Sequence, residues 1–513
     1  MKIFPDYKQF NRSYTLGKTQ LVWSVLPSDL DTPVSVALKL QEEKYLGLFE
    51  SVEGGKSRAR YSFITLDPDI IWICNNSSAS LTYADTGNTE IVASTGEDIF
   101  SSLRKIIKDS TIDIPAGLPP MAAGLFGYMG YDMVRYMEKL PDKNPDTIGV
   151  PESIFIRPRL VIIFDSVKDE MIVVTPVADT GIKAEEAYAA AKSRIGNLVS
   201  RLVSNQHKAE GYHFFSQEKE ELSINTIKNT GFPGATIPVT SNTTRDEYYK
   251  MVERAREYIY AGDIFQVVLA QRFTVDFPYH PFSLYRHLRR LNPSPFSFYI
   301  KMDGFALVGS SPEILVRVSN KKVTIRPIAG TRPRGADKVE DEQLEKDLLA
   351  DEKELAEHLM LIDLGRNDVG RVAEIGSVNV NEKMVIEHYS HVMHIVSNVE
   401  GRMGEGFDAV DAVIASFPVG TVSGAPKIRA MEIIDELEKA RRSFYAGGVG
   451  YFSSGGDVDM CIALRTGLVK DGRLYIQAGG GIVADSSPEG EYSESCNKAR
   501  ALVKAAEMVM EEA

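Results

Sequence analysis

The sequence has few of the residues that staple secreted or zinc-dependent domains, because cysteine occurs only three times, at Cys74, Cys461 and Cys496. These cysteines form no CxxC pair and no regular series of spacings, so neither a disulfide framework nor a structural zinc site is indicated. Basic residues are also outnumbered, since 58 Lys and Arg face 71 Asp and Glu and leave a net charge of −13. That balance argues against a nucleic-acid-binding surface.

Long apolar runs are absent as well. No stretch approaches the roughly 18 apolar residues of a membrane span, and the opening residues MKIFPDYKQF lack the apolar centre of a signal peptide. We therefore expect a cytoplasmic protein. The length of 513 residues exceeds that of one ordinary core and predicts two large lobes or several subdomains.

The sequence that is present mixes strand and helix patterns. Residues 1–205 combine strand-like runs such as YSFITL and RLVIIFDS with a long amphipathic helix at 185–205. Residues 206–243 are polar and irregular, which predicts a surface connection. In residues 244–513 a Thr-capped, Gly-ended helix precedes many strand-like runs, and further helices are predicted at 340–363, 424–440 and 491–511. These patterns predict an α/β (α+β) fold with large mixed sheets and helices packed outside.

Three glycine-containing stretches suggest anion binding. The run GGGIVA at 479–484 follows a strand-like segment, as in a dinucleotide-binding fold. Such a fold needs a helix directly after these glycines, but here a polar turn with Pro488 follows, so a dinucleotide site is disfavoured. The run GAPK at 424–427 lacks the full P-loop pattern. The loop RPIAGTRPRGA at 326–336 combines two glycines, a threonine and three arginines, and it is a candidate anion-binding loop.

Two E-x-x-E pairs are candidates for acid chemistry. Glu354 and Glu357 form the first pair, and Glu491 and Glu494 form the second. Residues three apart share one face of a helix, so each pair can point at one site. The simpler alternative is a solvated acidic surface. Against it, one helix is predicted to carry a single apolar stripe and a buried end, where a carboxylate needs a cation such as Mg²⁺; the stripe consists of Leu344, Leu348, Leu355, Leu359 and Ile362.

Two further side chains each leave two alternatives open. Glu313 follows the run SSP at a predicted strand-to-strand turn, where its carboxylate either reaches a cleft or is simply solvated. His394 lies in the apolar run VMHIV, where a buried imidazole is either hydrogen-bonded structurally or used for proton transfer.

Together these segments resemble the chorismate-utilising enzymes, and within them the component I chains of anthranilate synthases. The motifs fill about 245–508, and LFESVEGGKSRARYSFI at 48–64 resembles the regulatory amino-acid site of that family. The resemblance implies a complex two-layer sandwich with large antiparallel sheets. It also implies conversion of chorismate and ammonia into anthranilate and pyruvate, toward tryptophan. The alternative within the family is component I of aminodeoxychorismate synthases. The motifs are GDIFQVVLAQRF, SPE, PIAGTRPRG, DEKELAEHLMLIDLGRNDVGRV, YSHVMHIVSNVEG, FPVGTVSGAPKIRAMEII, YAGGVGY and QAGGGIVADSSPEGEYSESCNKA.

The resemblance also implies roles for individual residues. Glu357 and Glu494 match the Mg²⁺ ligands, with Glu354 and Glu491 in support. The general acid that helps the hydroxyl leave is matched by Glu313, the base of the elimination by His394, and a group beside the substrate by Thr421. The residues that match the chorismate-binding set are Gly330, Thr331, Tyr445, Arg465, Gly479, Gly480 and Gly481.

Two positions distinguish between members of this family. Gln266 stands where relatives that add water to chorismate carry a lysine, and a neutral amide cannot activate water as a base. Ala329 stands where the 4-aminobenzoate branch commonly carries a lysine that can attack the ring. Both residues favour direct attack by ammonia, and therefore anthranilate as the product.

The resemblance implies one protein partner and one effector. Because the chain shows no attached glutamine amidotransferase domain, we expect a separate glutaminase subunit that channels ammonia, and a heterotetramer as the assembly. Feedback inhibition by tryptophan is expected too. Phe49 and Ser297 depart from the usual Leu and Met, which predicts an altered affinity for the inhibitor. The residues that match the effector site are Glu50, Ser51, Pro295, Phe296, Ser297 and Cys461.

Overall fold

The computed structural model describes residues 1–51, 60–204, 232–389 and 392–513. Residues 206–231 of the predicted polar connection therefore lie outside the described part of the chain, as do residues 52–59 and 390–391. The division into 1–205, 206–243 and 244–513 stays a prediction. In the described ranges, no helix is long and apolar enough to cross a membrane.

Helices and strands are interleaved along the whole chain. The helices are α1 Tyr7–Tyr14, α2 Pro33–Lys39, α3 Ile99–Asp109, α4 Ala184–Ser204, α5 Arg245–Tyr260, α6 Pro281–Leu291, α7 Lys338–Ala350, α8 Glu352–Gly370, α9 Ala409–Ser416, α10 Lys427–Leu437 and α11 Pro488–Glu512. The strands of the first half are β1 Ile3–Phe4, β2 Gln20–Pro27, β3 Leu46–Glu50, β4 Tyr61–Asn75, β5 Ser78–Tyr83, β6 Thr89–Ala93, β7 Gly124–Met129, β8 Ser153–Asp165, β9 Glu170–Val177 and β10 Thr240–Ser241. The strands of the second half are β11 Gln266–Asp276, β12 Phe296–Met302, β13 Phe305–Ser311, β14 Ile314–Ser319, β15 Lys322–Ile325, β16 Ile328–Pro333, β17 Asn379–His388, β18 Val392–Arg402, β19 Gly424–Ala425, β20 Gly448–Ser453, β21 Val458–Ile462, β22 Thr466–Lys470 and β23 Arg473–Ile482.

These strands pair antiparallel throughout the described ranges and form one continuous network. One part runs β11–β23–β22–β13–β12–β3–β4, and another runs β8–β7–β20–β21–β14–β15–β18. The long strands β4 and β8 pair along their lengths across a bulge between Pro68 and Ile70, and they join the two parts. The predicted α/β fold with large, mainly antiparallel sheets is confirmed.

The hydrophobic core forms two large clusters on opposite faces of one sheet. Along β12, Phe298 and Ile300 belong to the first cluster, whereas Tyr299 between them belongs to the second. Alternate side chains of a strand point to opposite faces. The second cluster also contains Leu288 of α6 and Leu502 of α11. Helices therefore cover the outer face of this sheet, as the sequence pattern predicts.

The helices around the predicted site agree with the sequence at most positions. The predicted helix at 185–205 is α4, and α5 begins as expected, with a reciprocal capping box between Thr244 and Glu247. The chain leaves α5 through Gly262, whose φ of 83° is in the left-handed region that glycine tolerates. The helix that carries Glu491 and Glu494 is α11, which begins at Pro488 rather than at residue 491.

The single helix predicted at 340–363 is wrong, because the chain breaks there into α7 and α8. Asp351 lies at the break, and its carboxylate accepts hydrogen bonds from the backbone N–H groups of Lys353 and Glu354 at 3.1 and 3.2 Å, which caps α8. The predicted apolar stripe does not survive this break. Leu348 and Ile362 are buried, but Leu359 is 44% exposed.

Candidate active site

Glu313 is a buried carboxylic acid in the turn between β13 and β14. The hydroxyl group of Thr421 donates a hydrogen bond to Glu313 Oε1 at 3.0 Å. Burial raises the pKa of Glu313 to about 8, although the Thr421 hydrogen bond and the positive charges of Arg465 and Lys498 oppose that shift. Glu313 is thus mostly protonated near neutral pH, which suits a general acid.

Arg465 occupies a strained backbone position between β21 and β22. Its φ is +45°, a region that side chains other than glycine rarely occupy, and its carbonyl oxygen accepts a hydrogen bond from the N–H of Ser310 at 3.2 Å. Burial lowers the pKa of this guanidinium, while the charge of Glu313 opposes the shift. Strain of this kind concentrates at binding and catalytic positions.

His394 of β18 lies opposite Thr331 of β16. Its Nδ1 is 3.1 Å from the carbonyl oxygen of Gly330 and 3.0 Å from Thr331 Oγ1. Because a carbonyl oxygen can only accept, Nδ1 carries the hydrogen, which leaves the Nε2 lone pair free to take a proton. Burial lowers the pKa of His394, and the positive charge of Arg465 adds to that effect. The ring is therefore neutral near pH 7 and suits a general base.

The loop RPIAGTRPRGA contains the bulge that places these groups. The pairing of β16 with β18 shifts between Ala329 and Thr331, and Gly330 at the bulge has a φ of +67°. A side chain on Gly330 would come within 3.1 Å of Leu348 and 3.3 Å of Glu354 Oε2. The positive φ and these close contacts therefore favour glycine where the loop passes α7 and α8.

The two E-x-x-E pairs converge from α8 and α11. Burial raises the pKa of Glu357, and the negative charges of Glu354 and Glu494 raise it further. Burial and the charge of Glu494 likewise raise the pKa of Glu491, against a hydrogen bond with Ser486. A negative charge that raises the pKa of a neighbouring carboxyl group lies close to it, so these carboxylates face one space. A solvated acidic surface does not explain the burial of Glu491, although Glu494 itself is exposed, with 48% of its side chain accessible.

The donor set of this acidic cluster fits Mg²⁺. Glu491 Oε2 is buried and has no hydrogen-bond partner in the described part of the chain. No group of three or more His, Cys, Asp or Glu side chains in the same part is arranged to enclose a metal. Mg²⁺ is commonly held by one or two carboxylates, with water and substrate oxygens as its other ligands.

Three glycines of β23 form the floor below these carboxylates. Gly479, Gly480 and Gly481 pair with Ala270, Leu269 and Val268 of β11. A methyl group on Gly480 would come within 2.6 Å of Glu491 Oε2, and one on Gly481 within 2.2 Å of Gln266 Nε2. A side chain at Gly480 or Gly481 would therefore displace the Glu491 carboxylate or the Gln266 amide.

Gln266 and Tyr445 border the same floor. Gln266 begins β11 and is buried, and its Oε1 has no hydrogen-bond partner in the described residues. Tyr445 is buried as well, and burial raises its pKa to about 12, although a hydrogen bond with the backbone of Gly479 opposes the shift. Both side chains thus contact the glycine strand.

Two cations connect the separate groups into one site. Lys498 lies one turn after Glu494 on α11, 2.8 Å from its carboxylate, and donates to the carbonyl oxygen of Gly479 at 3.0 Å. The charge of Lys498 also lowers the pKa of Glu313 and of Glu357. The charge of Arg465 lowers the pKa of Glu313 and of His394. Lys498 is not among the residues predicted from the sequence, although its spacing of four residues from Glu494 is that of a helical ion pair.

The six predicted effector residues all line one cavity of about 530 Å³. Ser297 of β12 pairs with Glu50 of β3, which brings the two sequence segments together. The Glu50 carboxylate points to a buried cluster, where it accepts hydrogen bonds from Arg289 at 2.7 and 3.0 Å and from the hydroxyl of Tyr285 at 2.5 Å. Aromatic residues form part of the walls, and they are Phe49, Tyr61, Phe63, Phe296, Phe298, Tyr389 and Tyr451.

Comparison with known proteins agrees with this geometry. The family described as chorismate binding enzyme matches residues 62–504, so the chain belongs to that family. It is 50% identical to anthranilate synthase component 1 of Cereibacter sphaeroides, covering 98% of this chain and 97% of that one. Its identity to anthranilate synthase component 1 of Acetivibrio thermocellus is 43%, covering 94% of each. The resemblance seen in the motifs is confirmed, and the chain is an enzyme whose curated relatives fit the lyase class.

Solved structures give the same result for the fold. The structure of anthranilate synthase component I from Streptococcus pneumoniae TIGR4 matches with a TM-score of 0.71 and 36% identity, covering 88% of this chain and 94% of that one. The menaquinone-specific isochorismate synthase from Escherichia coli matches with a TM-score of 0.66 over 98% of both chains. At 18% identity, this second match supports the fold alone.

Proposed function

We propose that this chain is the large, aminating subunit of an anthranilate synthase, a lyase that converts chorismate and ammonia into anthranilate, pyruvate and water for tryptophan synthesis. The observation that carries the proposal is an acid and a base with opposite pKa shifts. Burial raises the pKa of Glu313 and lowers that of His394, and the charge of Arg465 lowers the pKa of both groups. This combination suits a reaction that expels a hydroxyl group and then removes a ring proton.

The first step forms the new C–N bond. Ammonia attacks the ring, the double bonds shift, and the 4-hydroxyl leaves as water with the proton of Glu313. The nitrogen then loses one proton, which balances the proton that Glu313 donated. Gln266 supports ammonia over water as the nucleophile, because its free Oε1 can accept a hydrogen bond from ammonia but an amide cannot act as a base.

The second step makes the ring aromatic. His394 Nε2 takes the proton from the carbon that carries the new nitrogen, and the adjacent C–O bond breaks. The enolpyruvyl group leaves and is protonated to pyruvate. The hydrogen bonds of Nδ1 to Gly330 and Thr331 hold the ring in the tautomer that this step needs.

The remaining site residues bind the substrate and the metal. Arg465 supplies a bidentate partner for a carboxylate, and the glycine strand lets backbone N–H groups approach the substrate, with Tyr445 at its side. Glu357 and Glu494 would hold Mg²⁺, supported by Glu354 and Glu491. When bound, Mg²⁺ would orient the ring carboxylate and draw off charge.

Nitrogen supply and regulation belong to the same proposal. A separate glutaminase subunit, in a heterotetramer in the cytoplasm, would provide ammonia, and free ammonium would replace it in vitro. Tryptophan would bind in the cavity lined by Phe49, Ser51 and Ser297. Supporting observations are the cavity volume of about 530 Å³ and the stacked rings of Phe49 and Phe63, whose centroids lie 4.8 Å apart.

The second candidate is the aminodeoxychorismate branch, which stops before the ring becomes aromatic. Ala329, paired with Ile395 in the strands that carry Thr331 and His394, offers no amine for a covalent bond to the ring. The favoured product is therefore anthranilate.

One assay tests the product. The purified chain is incubated with chorismate, Mg²⁺ and ammonium near pH 8, and the products are separated by chromatography. We expect anthranilate and pyruvate in equal amounts. A non-aromatic amine that a lyase converts to 4-aminobenzoate would contradict the proposal, and so would the absence of turnover. The variant His394→Gln provides a control, because it should bind chorismate but form no anthranilate.

A further inference from the structure

Arg442 is a buried cation to which the proposed reaction assigns no part. It lies between α10 and β20, and its side chain is only 1% exposed. Its guanidinium group forms a buried ion pair with Glu438, with Nε 3.0 Å from Oε2 and Nη2 2.5 Å from Oε1. The Glu438 carboxylate also accepts a hydrogen bond from the N–H of Ala270 at 2.9 Å. The ion pair is therefore attached to β11, the strand that begins with Gln266.

The other donors of Arg442 reach two separate segments of the site. Nη1 donates to the carbonyl oxygen of Val422 at 2.7 Å, and Nη2 donates to the carbonyl oxygen of Val268 at 2.7 Å. Val422 directly follows Thr421, the hydrogen-bond donor to Glu313. One side chain thus connects the short helical turn at Gly420–Val422 to β11.

The flat face of the same guanidinium group packs over tyrosine rings. Its central carbon is 5.4 Å from the ring centroid of Tyr445 and 4.8 Å from that of Tyr131, which are cation–π distances. Tyr445 belongs to the proposed chorismate-binding set. Arg442 therefore contacts a third element of the site by a different kind of interaction.

We infer that Arg442 is a positioning residue that sets the relative places of the Thr421–Glu313 pair, Gln266 and Tyr445 during the proposed reaction. The planar fork of an arginine can serve two carbonyl oxygens and one carboxylate while stacking on a ring, and a lysine cannot, because its ammonium group is a compact point charge. A misplacement of about 1 Å can reduce the rate of an enzyme by about a hundredfold. The inference rests on the proposed function.

The variant Arg442→Lys tests this inference, because it keeps the buried charge beside Glu438. Initial rates of anthranilate formation are measured against pH at a constant concentration of free ammonia. We expect kcat to fall by about ten- to a hundredfold, with a smaller change in KM. The rate should fall at alkaline pH as Glu313 loses its proton, and this fall is the alkaline limb of the pH profile. The Thr421 hydrogen bond lowers the pKa of Glu313. Loss of that hydrogen bond therefore moves the alkaline limb to higher pH. Arg465 and Lys498, the cations that face Glu313, remain in place.

A second variant separates positioning from stability. Thr421→Val removes the same hydrogen bond directly, so it should move the alkaline limb by a similar amount. In the double variant with Arg442→Lys, the limb should move no further. Additive displacement, or an unmoved limb in Arg442→Lys, would overturn the inference.

Folding is checked by thermal unfolding against the matched variant Arg157→Lys. Arg157 lies on β8, away from the site. It forms a bidentate pair with Asp69 of β4, with Nε 2.9 Å from Oδ1 and Nη2 2.8 Å from Oδ2. Its replacement should lower the melting temperature but leave the pH profile unchanged. If Arg442→Lys does not fold, the paired change Glu438→Gln with Arg442→Met removes both charges, and it must show the same loss of kcat and the same displaced limb. Wild-type enzyme that forms no anthranilate would refute the proposed function instead.

Discussion

The hydroxyl group of Thr421 and the carboxyl group of Glu313 are 3.0 Å apart, although 108 residues separate them along the chain. Glu313 lies in a turn between two strands, and Thr421 lies in a short helical turn that Arg442 holds. Burial keeps the proton on Glu313 near neutral pH, because it raises the pKa of the carboxyl group. The hydrogen bond donated by Thr421 fixes the position of that buried acid.

The pH dependence of activity should follow Glu313. Its pKa is about 8, so kcat/KM at constant free ammonia should fall as the pH rises through that value and the acid loses its proton. Glu313→Gln should reduce kcat by about 10²- to 10⁴-fold. Rates between pH 6 and 10 test both statements, and a flat profile across pH 8 would exclude Glu313 as the acid.

The same variant should stabilise the fold. The folded protein binds the Glu313 proton more tightly than the unfolded chain does. Below the unfolded pKa of about 4.5 the group is protonated in both states, so its raised pKa does not lower the free energy of unfolding there. The penalty grows between that pH and about 8 and is constant above it. Glu313→Gln should therefore raise the free energy of unfolding at pH 8 by a few kcal/mol, roughly. Urea titrations of both proteins at pH 4.5 and 8 measure this, and an equal difference at both pH values would contradict it.

Removal of the Glu494 carboxylate should weaken metal binding. Loss of a second-sphere partner commonly weakens a metal site by about 10- to 100-fold, so Glu494→Gln, which removes a proposed direct ligand, should weaken Mg²⁺ binding by at least that factor. Isothermal titration calorimetry without substrate measures the affinity apart from turnover. Glu489→Gln is the control, because Glu489 lies on the same helix but pairs with Arg245 at the surface. Equal affinities in the two variants would remove Glu494 from the metal site.

Regular periodicity made most of the fold predictable, but a helix break inside an acidic run was not. The helices α4 and α5 carry long apolar patterns, and α5 has a clear cap. Asp351, by contrast, stands among other acidic residues, so its sequence context does not distinguish a capping carboxylate from a solvated one. Only the folded chain, in which α7 ends at Ala350 and α8 begins at Glu352, shows that Asp351 caps a second helix.

The candidate site was predictable where a short motif carries the chemistry. Glu313, His394 and the two E-x-x-E pairs stand in motifs of the family. Arg442 stood out in no motif, because its contacts lie elsewhere in the chain; Val268, one of its two carbonyl partners, is 174 residues away. Residues that act by joining distant segments gain their meaning only from the folded structure.

A methyl group on either of two β23 glycines should displace a side chain of the proposed site. A side chain on Gly480 would come within 2.6 Å of Glu491 Oε2, and one on Gly481 within 2.2 Å of Gln266 Nε2. We expect Gly480→Ala to weaken Mg²⁺ binding and Gly481→Ala to raise KM for ammonia, since each displaces a different side chain. The control is Gly196→Ala on α4, where nothing lies within 4 Å and alanine should stabilise the helix by about 0.5–1 kcal/mol. Identical defects in the two site variants would contradict separate roles.

The effector cavity should be separable from catalysis. Ser51 lines the cavity, and Ser51→Phe adds an aromatic ring to the space proposed for tryptophan. Overpacking costs about 1–3 kcal/mol, so the inhibition constant for tryptophan should rise by about five- to a hundredfold. kcat in the absence of tryptophan should stay within about twofold, because neither Glu313 nor His394 lines the cavity. Ser200→Phe, at an exposed position of α4, is the matched control and should leave inhibition unchanged. Inhibition that persists unaltered in Ser51→Phe would place the tryptophan site elsewhere.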